Sequence, residues 1–222
     1  DKEKVWGEML TDLKRHHSER LLPSIQQLLQ ETHTPLTGIG GIAVTRGPGS
    51  YTGVRIGVTT AKTLAWSLRL PLIGVSSLAA LAVNGQRFSG AVVPMWDARR
   101  ERVYTGLYQA DGQVMPIELQ HDRVVPVSEW VEQLAQEHND FLFLGDGAIQ
   151  YRTFIQSKLG SKARFAIGAE NVVRAHAVAR VAMRQYDEAG TDSIDDFVPE
   201  YLQVTEAEAN WDKRNKIDPY HK

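Results

Sequence analysis

The 222-residue sequence contains no cysteine. That excludes disulfides, thiolate nucleophiles and cysteine-ligated zinc, and it suits a reducing compartment. An excess of positive charge is missing too: 25 Lys and Arg stand against 27 Asp and Glu, a net charge of −2. Charge alone therefore marks no nucleic-acid surface. No apolar run approaches the length of a membrane span, and no signal-peptide pattern is visible. The expectation is a cytoplasmic protein with no membrane contact. The sequence begins with Asp1 rather than methionine, so this reading allows an upstream segment. The histidines are His16, His17, His33, His121, His138, His176 and His221, and no two have the His-x-x-x-His spacing that sets ligands on one helical face. A serine hydrolase elbow needs Gly-x-Ser-x-Gly, and Ser50 has a glycine directly beside it instead. No catalytic or metal-ligating residue is assigned.

What the sequence does contain is a glycine-rich segment, Gly47-Pro-Gly-Ser-Tyr-Thr-Gly-Val-Arg-Ile-Gly57, between the apolar run Ile42–Thr45 and a helix-like stretch from Val54 to Leu68. Gly47, Gly49, Ser50, Thr52, Gly53 and Arg55 could bring backbone N–H groups close to an anion at a helix start. A plain strand-to-helix turn has the same composition. Two nucleotide loops are excluded. A Walker loop closes on Gly-Lys-Ser/Thr, and here Val54-Arg55-Ile56 follows the glycine. A dinucleotide fingerprint needs G-x-G-x-x-G and an acid after the next strand, but the spacing is off by one and Leu72–Val75 runs into Ser76-Ser77.

Periodicity predicts a strand at Lys4–Leu13, a helix at Ser18–Glu31 capped by Ser18, and a strand at Ile39–Thr45. A helix at Thr52–Leu68, a strand at Leu72–Val75 and a short helix at Ser76–Val83 follow. After the turn-rich Asn84–Gly90 come strands at Ala91–Trp96, Arg102–Gln109 and Val114–Leu119, with a turn at Asp111-Gly112. The rest reads as a helix opened by Ser128, a strand at Phe141–Leu144, a helix at Ala148–Lys158, a strand at Ala163–Ile167 and a helix at Asn171–Ala189. The halves read βαβαβα and βββαβαβα, which suggests an α/β protein of two lobes, each a mixed sheet with flanking helices. The expected division is 1–86, 87–189 and a C-terminal tail, 190–222, whose charged end beyond Glu206 reads as a flexible terminus.

Leu21, Leu22, Ile25, Leu28 and Leu29 give the first helix a wide apolar face, and the second carries Gly53, Gly57, Ala61 and Ala65 at every fourth position. Such stripes either pack on the chain's own sheet or admit a partner closely. Asp97 ends a strand before Arg99 and Arg100; it could organise a metal-bound phosphate, but its residue type favours a hydrogen bond that caps a turn.

The glycine-rich segment, then Ala61-Lys62 and Gly74-Val-Ser-Ser-Leu78, resembles the TsaB (YeaZ) family, whose members support threonylcarbamoyladenosine formation in tRNA. His17-Ser-Glu-Arg-Leu-Leu-Pro23, Asp97-Ala-Arg-Arg-Glu-Arg-Val-Tyr104 and Pro199-Glu-Tyr-Leu202 followed by Val204 agree with it, in order along nearly the whole chain. The resemblance implies two actin-like (ribonuclease H-like) lobes. The first would lack its leading hairpin with Asp-Thr-Ser in this sequence, and the hairpin is expected upstream of residue 1. It implies a non-catalytic subunit that forms a homodimer alone and a heterodimer with the catalytic paralogue TsaD. The TsaE ATPase would join them, and tRNA would bind only through the complex. The partner-facing residues it implies are Leu21, Leu22, Ile25 and Leu29, with Val54, Val58, Ala61 and Ala65. No cofactor is required, although Gly145-Asp146-Gly147 resembles the turn on which this superfold seats adenosine and, with Asp97, would allow weak adenine nucleotide binding. Asp146 could equally cap a helix. An actin-fold transferase or kinase working in its own inter-lobe cleft is the alternative.

Overall fold

Two sheets share one helix between them. The computed structural model describes residues 4–11, 17–110 and 116–203. The turn expected at Asp111-Gly112 and the terminus beyond Glu206 lie outside the described residues. The first sheet pairs β1 (Ile42–Gly47) with β2 (Leu72–Ser76) in parallel, joined by α2 (Tyr51–Leu68). The second has the order β5-β4-β3-β6-β7, formed by β3 (Ala91–Asp97), β4 (Arg102–Ala110), β5 (Pro116–Pro126), β6 (Phe141–Leu144) and β7 (Ala163–Phe165). It is mixed, with β3, β4 and β5 antiparallel and β3, β6 and β7 parallel.

The alternation of side chains along each strand decides what packs where. On β2, Leu72 faces Val58, Ala61 and Ala65 of α2, whereas Ile73 and Val75 face Ala177, Val181 and Ala182 of α7 (Ala175–Ala189). The helix α3 (Ser77–Ala82) lies between the sheets: Ala80 joins the α7 cluster, while Leu78, Leu81 and Ala82 meet Val92, Tyr108 and Leu144 of the second sheet. The other face of that sheet buries Val93, Met95, Phe141 and Phe143 under α4 (Val127–Ala135) and α6 (Arg152–Leu159). A short α5 (Asp146–Gln150) follows β6, and α1 (His17–Glu31) lies against α2.

Several expectations change. Residues 4–11 hold no regular structure, so the strand expected at Lys4–Leu13 is absent where it is described. Helix α1 starts at His17, which puts Ser18 inside it rather than at the cap. The β5 strand runs to Pro126, well past the expected Leu119, because it keeps pairing with β4 through two register shifts. Pro126, not Ser128, occupies the cap position of α4. The helix expected at Ala148–Lys158 is two helices broken at Tyr151. The last helix begins at Ala175, after a 3-10 turn at Gly168–Asn171.

Candidate functional site

The glycine-rich loop, the β3–β4 turn and residues 200–203 enclose a cleft of about 980 Å³ between the lobes. Ser50 caps α2, its side chain accepting from the Gly53 N–H at 3.4 Å, so the turn holds the helix start open toward the cleft. Thr52 and Gly53 line it, and Arg55 donates to the Tyr51 hydroxyl at 2.8 Å on its rim. Gly47 has φ +129°, a conformation open to glycine, and a Cβ there would overlap the Glu200 carbonyl.

Both carboxylates expected at the cleft are there, and both are engaged. Asp97 Oδ1 accepts from the Arg99 N–H at 3.0 Å and from the Tyr151 hydroxyl at 3.4 Å. Asp97 therefore caps a turn, as its residue type favours. Asp146 Oδ1 accepts from the Asp97 N–H at 2.9 Å. Burial pushes the Asp146 carboxyl up, opposed by the N–H groups of Asp97 and Gly147 and reinforced by the Asp97 charge. Asp146 is the first residue of α5, with Gly145 in the cap position, so it does not cap that helix. Gly145 (φ +102°) and Gly147 lie against the end of β3; a Cβ on Gly145 would overlap the Met95 carbonyl. The glycines of this turn are explained by that approach to β3. Arg99, Arg100 and Glu101 all have positive φ, of +61°, +54° and +56°, and the turn sets both arginines along the cleft.

The hydroxyls nearby are also committed. Ser76 donates to Asp122 and accepts from the Leu78 and Ala79 N–H groups, each at 3.1 Å, while Ser77 donates to the Pro48 carbonyl. Among the described residues, none of Ser50, Ser76 and Ser77 is hydrogen-bonded to a histidine, and no three His, Asp or Glu side chains cluster as a metal site. No described helix is long and apolar enough to cross a membrane.

The eight residues expected at a partner surface divide. Leu22 is 51% exposed, and Leu21, Ile25, Leu29 and Val54 are half-buried. Val58, Ala61 and Ala65 are at most 6% exposed, packed on Leu72 and Phe197. That corrects the expectation for these three, since the small-residue stripe faces the chain's own sheet. The outward face of α2 instead carries Trp66, 72% exposed, which the sequence reading did not single out. It also missed Asp122 and the contacts of Phe197, Glu200 and Tyr201. Only Pro199-Glu-Tyr-Leu202 gave a signal, as part of a resemblance without a role.

A family model described as "TsaD: tRNA N6-adenosine threonylcarbamoyltransferase" matches residues 10–211. The Bacillus subtilis (strain 168) protein named tRNA threonylcarbamoyladenosine biosynthesis protein TsaB is 40% identical over 216 residues, covering 96% of this chain and 90% of that protein. Its Escherichia coli (strain K12) namesake is 42% identical over 130 residues, 53% of this chain and 56% of that protein. A crystal structure described as an uncharacterized protein with similarity to peptidase YeaZ from Pseudomonas aeruginosa matches with a TM-score of 0.73 and 27% identity, over 87% of each chain. Another, YeaZ from Pseudomonas aeruginosa, gives a TM-score of 0.70 and 28% identity over 85% of each. The two-lobed architecture is that of the actin-like, ribonuclease H-like fold.

Proposed function

The chain belongs to the TsaB (YeaZ) family, and from that premise we propose that it is a non-catalytic subunit of the machinery that makes threonylcarbamoyladenosine in tRNA. In this reading it works in the cytoplasm, self-associates when alone, and holds the catalytic paralogue TsaD through the outer face of α1 and α2. TsaE, an ATPase, joins that pair, and tRNA is engaged only by the assembly. The residues proposed at the contact are Leu21, Leu22, Ile25, Leu29 and Val54, with Trp66 added from α2. The reading requires no cofactor, and it allows adenine nucleotide to bind weakly in the cleft. The working division into lobes at 86/87 is kept as part of it, but the tail expected from 190 is not, since Asp192 pairs with Leu72 and Phe197 is buried against α2.

One observation carries the proposal. A two-helix layer leaves Leu22 and Trp66 open to solvent, 51% and 72% exposed, beside the β1–β2 sheet. Large apolar side chains standing out on one layer suit an interface better than a free surface. The committed state of Asp97 and Asp146 supports a cleft without chemistry of its own. The test is calorimetric titration of TsaD from the same organism into this chain. Leu22→Glu should weaken binding at least about a hundredfold, as expected for charge in a desolvated contact. Unchanged affinity would remove α1 from the interface.

A further inference from the structure

Beyond α7 the chain turns back across the first lobe, and how tightly it is held changes along its length. Asp192 pairs with Leu72, and its carboxylate accepts from the Gly74 N–H at 2.7 Å. Phe197, 5% exposed, fills the notch left by Gly74, where a Cβ would overlap its ring, and packs on Val58, Ala61 and Ala65 of α2. The Lys62 ammonium donates to the carbonyls of Asp195 at 3.3 Å and Phe197 at 2.7 Å. Up to this point the strap belongs to the core.

Past Phe197 no described residue is fully buried, and the strap is held by a few separate contacts. The Glu200 N–H donates to the Arg46 carbonyl at 2.7 Å, and its carboxylate meets Arg46 Nε at 3.2 Å, both side chains well exposed. The Tyr201 ring stacks on Tyr51, the first residue of α2, at 4.9 Å between centroids. Gln203 then crosses to the second lobe, where its side-chain carbonyl accepts from the Tyr104 hydroxyl at 3.2 Å. Exposed ion pairs contribute little, and a single ring stack or hydrogen bond about 1 kcal/mol.

We propose that residues 200–203 are a latch, hinged on Phe197, that closes over the inter-lobe cleft and ties the glycine-rich loop to the second lobe. A buried hinge with a weakly held end is what allows one segment to open without the fold opening. The latch grips Tyr51 at the start of α2, while its root packs beneath Val58 and Ala61. Opening therefore frees the loop at 47–53 and the α2 N-terminus together, and it widens the cleft on the side where Arg99 and Arg100 stand.

Native-state amide exchange followed by mass spectrometry tests this on the whole chain. Tyr201→Ala with Glu200→Gln removes the stack and the ion pair. Peptides over 47–54 and 198–203 should then exchange roughly tenfold faster, the effect of losing about 1.4 kcal/mol of local closing energy. Peptides over β3 and β6 should keep their rates. Tyr104→Phe removes only the hydroxyl on the opposite lobe, and it should accelerate the same two segments by a few-fold. Unchanged exchange at 47–54 in both variants overturns the latch. So does an equal rise in all segments, since that marks loss of global stability.

Discussion

Glu8 is a carboxylate held between Arg174 and His176. Its side chain is 11% exposed, and it accepts from Arg174 Nε at 3.0 Å and from the His176 N–H at 3.0 Å. Burial opposes its ionisation, yet the Arg174 guanidinium and the His176 contacts outweigh that and hold the carboxyl at about 2, below an ordinary 4.5. The folded value is the lower one. The stabilisation is therefore fully present above about pH 4.5 and is lost as pH falls toward 2. Solvent around the partly exposed Arg174 screens the pair, so the contribution is smaller than the shift alone would give; Glu8→Gln should still lower the unfolding free energy at neutral pH and flatten its decline in acid. Denaturant titrations across the acid range check this. Asp122 behaves in the opposite sense. Burial pushes its carboxyl up, reinforced by the charges of Glu118 and Glu200, although the Ser76 and Tyr108 hydroxyls donate to it. Its contribution is present at low pH and declines as pH rises through its raised value. Asp122→Asn keeps an acceptor between β2 and β4 without the charge, so its stability relative to the parent should increase with pH. Asp122→Leu leaves two hydroxyls without that acceptor and should cost roughly 2–4 kcal/mol. Equal pH dependence in parent and Asp122→Asn would contradict the assignment.

At the scale of elements, α2 is the pivot: one face is core and the other is open. Ala61→Leu should destabilise the fold by about 1–3 kcal/mol, because the added atoms must enter the Leu72 and Phe197 packing. If the isolated chain self-associates as proposed, Leu22→Glu, on an exposed position, should shift it toward monomer in sedimentation and remove the concentration dependence of its unfolding midpoint. Equal dimer fractions would place self-association elsewhere. The elements differ in how far the sequence revealed them. Phe141–Leu144 was legible to the residue, since both faces of β6 are buried and an unbroken apolar run has clear ends. Along β5 the polar residues from Glu118 to Arg123 hide a strand whose length comes from pairing with β4, which no local pattern reports. The stripe Gly53, Gly57, Ala61 and Ala65 was legible as a close-packing face; which body it approached was not. Small residues fit a sheet and a partner helix alike, and only the placement of Phe197 from far along the chain decides. The latch escaped for the same reason. Tyr201 and Tyr51 are 150 residues apart in sequence, and their stacking is a product of the fold.

For the whole molecule, charge and architecture point the same way. A net charge of −2 gives few groups with which to neutralise successive phosphates. The isolated chain should bind tRNA no more tightly than the non-specific range, roughly 10⁻⁴ to 10⁻⁶ M, with a steep dependence on salt. The order of elements in the second half was legible, whereas the strand read at Lys4–Leu13 for the first half is absent where it is described. The engagement of Asp97 and Asp146 was not legible, because the hydrogen bond from the Asp97 N–H to Asp146 joins residues 49 apart. The central claim is that this chain acts by holding a catalytic partner. The decisive measurement is tRNA modification reconstituted from purified TsaD, TsaE and this chain, with tRNA, ATP and an activated threonylcarbamoyl donor supplied, and with threonylcarbamoyladenosine quantified by mass spectrometry of the digested tRNA. This chain alone should give no product, the complete set full product, and the set with Leu22→Glu in place of the parent chain should lose it. Product from this chain alone that disappears on Asp97→Ala, or full product from the Leu22→Glu assembly, would contradict that claim.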